Sequence, residues 1–158
     1  MVRAARMDRS FYTSLLFDEY ATGNAIAIVV LVFAIPALVD SRVDLVFTAT
    51  IGLYSLIRAG LSAVAAWAVA ARVMDRDGRI PTTFRLAAFA HVAFIPLAIR
   101  PFLPDLATLL LLGSLAWYFV LMRVVAAVQF DLDDSGSLQV AAAGAGAWFL
   151  GLLFFPIP

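Results

Sequence analysis

Two polar side chains stand in otherwise apolar sequence, and they are the residues with which this chain could do chemistry: Arg58, within SLIRAGLS, and His91, within FAHVAFIP. An arginine keeps its charge and offers a planar fork of donors. Inside a membrane it therefore points to an anion partner, to an ion or substrate path, or to a side chain that snorkels to the headgroups. Counted from Leu45, Arg58 lies about three to four turns along its helix, too deep to snorkel unless that helix first projects from the bilayer. Thr48, Thr50, Ser55 and Ser62 are its neighbouring hydroxyls, and helical hydroxyls bond their own backbone readily. Snorkelling or structural pairing is the favoured role, and a small transporter or channel using Arg58 is the alternative. His91 is the only histidine. Its imidazole is the one cofactor-binding candidate, as an axial ligand to a haem or chlorophyll-type pigment, and it could also titrate in a proton path. No haem-attachment motif, second histidine or acidic relay supports either role, so a hydrogen-bonded packing histidine is preferred and no cofactor is expected.

The loop DLDDSGS gathers Asp131, Asp133 and Asp134 in a pattern reminiscent of oxygen-ligand calcium loops. Gly136 falls sixth from Asp131, but the twelfth residue is Ala142, where a bidentate glutamate is required. A solvated acidic turn capping the next helix fits better, because carboxylates are favourable near a helix N-terminus, and no metal site is expected. With no cysteine, disulfides, iron–sulfur clusters and thiolate metal sites are excluded. No phosphate loop, nucleophile elbow, metalloprotease helix or paired catalytic carboxylate occurs, so no catalytic residue is assigned and an enzyme is not expected.

The elements that position these residues follow from composition. The chain has 158 residues, 64% hydrophobic and 14% charged, with mean hydropathy +0.98, whereas a soluble domain is about half apolar and about a quarter charged. This predicts an all-α, polytopic transmembrane bundle whose main solvent is lipid. Net charge is zero, which gives no footprint for nucleic acid; membrane lipids and other membrane proteins are the expected partners. All the basic residues are arginine, which together with abundant alanine suits a GC-rich prokaryotic genome.

A bilayer core takes about 17 to 25 apolar residues per helix. Five stretches approach that: about Asn24 to Val39, Leu45 to Met74, Phe84 to Ile99, Asp105 to Val128 and Leu138 to Ile157. The second is long enough to tilt or project. The first and third contain Pro36 and Pro96 and should be kinked; a four-span alternative makes the third re-entrant. Residues 1–22 precede this five-span domain of residues 23–158. There Ser10 could cap a short amphipathic helix with Phe11, Tyr12, Leu15 and Leu16 on one side, lying on the membrane surface. A frayed terminus is the alternative, and no cleaved signal peptide is expected. Eight arginines (Arg3, Arg6, Arg9, Arg72, Arg76, Arg79, Arg85, Arg123) flank one side of the spans and two (Arg42, Arg100) the other. Cytoplasmic loops retain arginine, so the N-terminus is expected in the cytoplasm and the C-terminus outside the cell membrane.

Small residues recur every four positions at Ser62, Ala66 and Ala70, and again at Ala143, Ala147 and Gly151. Such faces let helix backbones approach closely. They serve either contacts between spans of one chain, the preferred use, or an oligomer or partner interface. Trp148, Phe149, Phe154 and Phe155 are expected to contribute to the outer aromatic belt.

From about Arg76 to Ser137 the chain resembles the Yip (Ypt-interacting protein) domain family in its prokaryotic integral membrane form. FRLAAFAHVAF opens the third span, FLPDL follows it, Trp117 lies in the fourth, and VVAAVQFDLDDS leads into the fifth. The aromatic-rich DRSFYTSLLFDEY also resembles the family's opening segment. Departures are Ala93, with proline displaced to Pro96, where the family has an alanine–proline step; Gln129 where an arginine is common; and a missing glycine–arginine pair at the last span. The resemblance implies a five-span bundle with a cytoplasmic N-terminus. It also implies action through protein partners, as in eukaryotic members that work in membrane trafficking and shaping; fold alone does not specify function. Taken together, the expected protein is a non-enzymatic scaffold, assembly factor or accessory subunit of a membrane complex, or a homo-oligomer.

Overall fold

Apolar surroundings offer the backbone no water, so each segment must satisfy its own amides, and the helix is the local solution. A computed structural model describes residues 2–18, 20–39 and 45–155, with residues 37–39 described by backbone alone. Among the described residues every element is helical. Short helix α1, Val2–Ala5, and α2, Arg9–Phe17, precede α3, Ala21–Val39. Next come α4, Leu45–Ala68, prolonged by a π turn over Val69–Val73; α5, Ile80–Ala90, prolonged by a 3-10 segment over His91–Phe102; α6, Ala107–Phe130; and α7, Asp134–Phe154. Among the described residues four helices are long and apolar enough to cross a membrane: Leu45–Val73, Ile80–Phe102, Pro104–Phe130 and Asp134–Phe154. The first expected span is the shorter apolar helix Ala21–Pro36. Arg42, Glu19 and the end of the fifth expected span at Ile157 lie outside the described residues.

The second of these four, Ile80–Phe102, is the pillar of the bundle. Of its most apolar window 67% is buried, against 33–39% for the other three, because α3, α4 and α6 all pack around it. The kink expected at proline takes a definite form. Pro96 has no N–H for the carbonyl of Val92, and Pro101 none for Leu97, so the α pattern gives way after Ala90 to i→i+3 bonding. Residues three apart eclipse in that geometry, which lines up His91, Phe94 and Leu97, all buried, as one straight ridge.

The N-terminal helix is docked. Tyr12 and Leu15 are buried, and Phe11 meets Phe89 edge-on with ring centroids 5.5 Å apart. Asp8, rather than Ser10, is the cap: its Oδ1 accepts from the Ser10 amide at 2.9 Å, the Phe11 amide at 3.3 Å and the Ser10 hydroxyl at 2.7 Å. Ser10 spends its own hydroxyl on the carboxylate two residues before it. Arg85 of α5, almost fully buried, clamps this region by donating from Nη1 to the Leu15 carbonyl at 2.9 Å and from Nε to Thr22 Oγ1 at 3.1 Å.

The same end of the bundle is fastened further. The Trp67 indole donates to the Gly78 carbonyl at 3.1 Å, and Gln129 Nε2 to Thr83 Oγ1 at 2.6 Å. Gly78 is needed there, since a Cβ would stand 2.3 Å from the Phe130 ring. The aspartates of the last loop divide their work. Asp131 ends α6 in a left-handed conformation, Asp133 caps α7 through the Gly136 amide at 2.7 Å, and Asp134 pairs loosely with Arg123 at 3.5 Å.

Two outcomes follow. A side chain at Gly144 would meet Met122 Cε at 2.8 Å and the Ser62 carbonyl at 3.3 Å, whereas nothing lies within 4 Å of one at Gly146. Gly144→Leu should therefore cost about 1–3 kcal/mol through overpacking, and Gly146→Ala should be close to neutral, as read by unfolding in mixed micelles. Separately, the hydrogen bonds from Ser10 and Arg3 hold the Asp8 carboxyl down, from 3.8 to about 2. A carboxyl lowered by folding stabilises above its unfolded value and loses that contribution as pH falls through the folded one. NMR of the Asp8 carboxyl carbon should titrate near 2, with α2 fraying only below pH 3; a midpoint at 3.8 would refute the cap.

Candidate functional site

Where α3, α4, the pillar, α6 and α7 converge, aromatic rings enclose the polar groups of the spans. Trp148 of α7 is fully buried and stacks on Phe94 with centroids 4.3 Å apart and planes at 14°. It belongs to the centre of the protein, not to the expected aromatic belt; Phe149 and Phe154 of the same helix are the exposed rings. Its position follows from the register of α7, whose buried side runs through Val140, Ala141, Gly144, Trp148 and Gly151.

His91 stands on the pillar beside Trp148. The Trp148 indole N–H donates to His91 Nε2 at 3.1 Å. The ring's other nitrogen, Nδ1, lies 2.9 Å from the Ala87 carbonyl, which can only accept, so the proton is on Nδ1 and the imidazole is neutral. Tyr118 of α6 presents its ring to His91 at 4.9 Å and pairs its hydroxyl with Ser62 of α4 at 2.8 Å. Both ring nitrogens of His91 are thus occupied. An axial bond to a haem or chlorophyll-type metal would require Trp148 to withdraw and leave its own donor unpaired, so this geometry disfavours the cofactor-binding role considered for His91.

Arg58 of α4 is also fully buried. Its guanidinium carbon lies 5.2 Å from the ring centres of both Phe33 and Trp148, within range of cation–π attraction. Nη1 donates to the carbonyl of Phe155, just past the end of α7, where the negative end of the helix dipole favours a cation. Gly151 makes room for the arginine stem, since a Cβ there would stand 3.0 Å from Arg58 Cγ. Nε and Nη2 have no partner among the described residues. The hydroxyls near it along α4 do not help: Thr50 bonds the Val46 carbonyl at 2.8 Å and Ser55 the Gly52 carbonyl at 2.7 Å.

Of the small-residue positions, Ser62, Ala66 and Ala70 are buried on α4, which packs closely on α7. Gly144, absent from the expected set, fits against Ala66 and the Ser62 backbone. Gly151 is buried, and Ala143 and Ala147 are half-buried toward the flank of α7. Arg58 and His91 are brought to opposite sides of one tryptophan, Arg58 against its ring and His91 on its N–H. Sequence reasoning missed Trp148, Tyr118 and Arg85. The signal for the first two was present, because an indole or phenol inside an apolar span must find a polar partner, and His91 and Ser62 were among the few available. Elsewhere, a shallow cleft of about 120 Å³ at the arginine-rich end is lined by Arg9, Val120, Arg123 and Asp134.

At this centre the imidazole is engaged through both of its nitrogens. Trp148→Phe strands a buried acceptor on His91 and should destabilise by roughly 1–3 kcal/mol. In a double-mutant cycle with His91→Phe the coupling should be about 0.6 kcal/mol and at most about 1.7, measured by unfolding in mixed micelles. Strict additivity would show that the two residues do not share a bond.

No family model matches the chain, and no curated protein or solved structure matches it either, so what this centre does rests on its own geometry.

Proposed function

We propose that the protein is a non-enzymatic, five-span integral membrane bundle of the Yip-like type that acts as a scaffold, assembly factor or accessory subunit by associating with other transmembrane helices. One observation carries this reading: α7 is small-sided on two faces. Its inner face closes on α4 through Gly144 and Gly151. On its outer side Ala142 is exposed, and Gly146, four residues on, has nothing within 4 Å of where a side chain would stand. Small residues four apart on a lipid-facing helix let a second helix approach closely, and packing of that kind drives association where water cannot.

Other features agree with this. The 19 helical residues of α3 reach about 28 Å, close to the roughly 30 Å hydrocarbon thickness, which supports α3 as the first of five spans. Arg3, Arg9, Arg72 and Arg123 stand on the elements that meet at the fastened end, and Arg6, Arg76 and Arg79 on the segments that join them, which supports a cytoplasmic N-terminus in a prokaryotic cell membrane, with α2 lying at that interface. The resemblance over Arg76 to Ser137 supports the Yip-like assignment through residue pattern alone. His91 pairs with Trp148 and Tyr118 with Ser62, pairings that suit a binding role better than a reaction.

Mass measurement after extraction in mild detergent, repeated in lipid nanodiscs, should show a homo-oligomer or a bound membrane partner. Gly146→Leu should weaken that association at least tenfold while leaving the fold intact. A strictly monomeric particle under both conditions, with no partner cross-linked in native membranes, would reject the proposal.

A further inference from the structure

Ser114 Oγ, Arg123 Nε, Gln129 Oε1 and two nitrogens of Arg58 are buried polar atoms without a partner in the described structure, and of these residues Arg58 alone is both charged and fully buried. The two free nitrogens, Nε and Nη2, are adjacent on the guanidinium and form the side that grips a carboxylate or phosphate through two parallel hydrogen bonds. Leaving charged donors buried and unpaired is costly, more so than for neutral groups. Among the described residues no carboxylate pairs with Arg58. No aspartate or glutamate stands in α3, α4 or α6, and the one in α7 is its first residue, Asp134, at the far end from Gly151 and Arg58. The cation–π contacts with Phe33 and Trp148 and the bond to Phe155 hold the group in place without using this edge.

Arg58 lies beside Gly151, one turn from the end of α7, while α4 continues a further 13 residues to Leu45. Over the arginine at this end lies a two-ring cover, Tyr54, one turn back along α4, meeting Phe155 edge-on with centroids 5.3 Å apart. Both rings are half-buried, and α4 beyond them presents exposed Leu45, Val46 and Leu53. Exposed apolar side chains on the helix that carries a paired donor edge suit a molecule with an apolar tail and an oxyanion head.

We propose that Arg58 anchors the oxyanion, carboxylate or phosphate, of an amphiphile that enters beneath the Tyr54–Phe155 cover at the sparsely charged end of the bundle. This stands apart from the association proposed for the outer face of α7. Trp148 touches the guanidinium and reports on it. In a Trp67→Phe/Trp117→Phe background, purified, delipidated protein in a nonionic maltoside detergent is titrated with oleate, with phosphatidylglycerol, with oleyl alcohol as the uncharged control, and with aqueous acetate or phosphate. Oleate or phosphatidylglycerol should give a saturable fluorescence change and raise the unfolding temperature, with no response to oleyl alcohol. Arg58→Lys, which keeps the charge but loses the paired edge, should weaken binding at least tenfold. A saturable response to acetate or phosphate alone would keep the anchor and assign it to a soluble anion. Equal responses in wild type and Arg58→Lys, or none to any oxyanion, would overturn the proposal. Should Arg58→Lys fail to fold, equal responses to oleate and oleyl alcohol in the wild-type background would overturn it just as well.

Discussion

The hydrogen bond from the Trp148 indole to His91 Nε2 allows a tryptophan and a histidine to occupy the centre of an apolar bundle. Neither side chain tolerates an apolar environment alone, since each carries a group that must bond or forfeit the solvation it had in water. Joined, they fix α7 against the pillar in rotation as well as in height, and the 3.1 Å contact fits one register only. The rest of the centre follows from that register. Gly144 faces Ser62 and Ala66, Gly151 makes room for Arg58, and Tyr118 comes within reach of Ser62.

The two ends of the bundle are held by different means. At the arginine-rich end, side chains reach from one element to the backbone or hydroxyl of another. Arg85 bridges to α2 and α3, Gln129 to α5, and Trp67 to the loop before α5. At the other end Arg58 donates to the Phe155 carbonyl, and the Phe155 ring meets Tyr54 edge-on.

Much of the frame was legible in the sequence, because hydropathy and helix length are properties of local stretches. The expected start of the second span at Leu45 coincides with α4, and the fourth and fifth stretches lie within a few residues of α6 and α7. Proline at Pro96 announced a departure from α geometry. What sequence could not place was which side of a nearly uniform helix faces inward. In α7 alanine and glycine occur at so many positions that Ala143–Ala147–Gly151 and Ala141–Gly144–Gly151 are equally good stripes on composition alone; the indole of Trp148 decides between them. Arg85 was counted among the flanking charges because it adjoins a basic loop, yet its side chain turns inward to two acceptors supplied by elements more than sixty residues earlier. Partners that distant leave no trace in local pattern.

The tightened half of the pillar bears on the thickness of membrane the protein can match. A residue advances about 2.0 Å in a 3-10 helix and about 1.5 Å in an α-helix. The 12 residues His91–Phe102 therefore cover about 24 Å where α geometry would give about 18 Å. The prolines thus lengthen the central helix instead of merely bending it, and 23 residues of pillar reach about as far as 27 residues of ordinary helix. Restoring α geometry there would draw the centre of the protein in by about 6 Å relative to its neighbours, which is a dimple in one face of the bundle and a mismatch with the surrounding lipid.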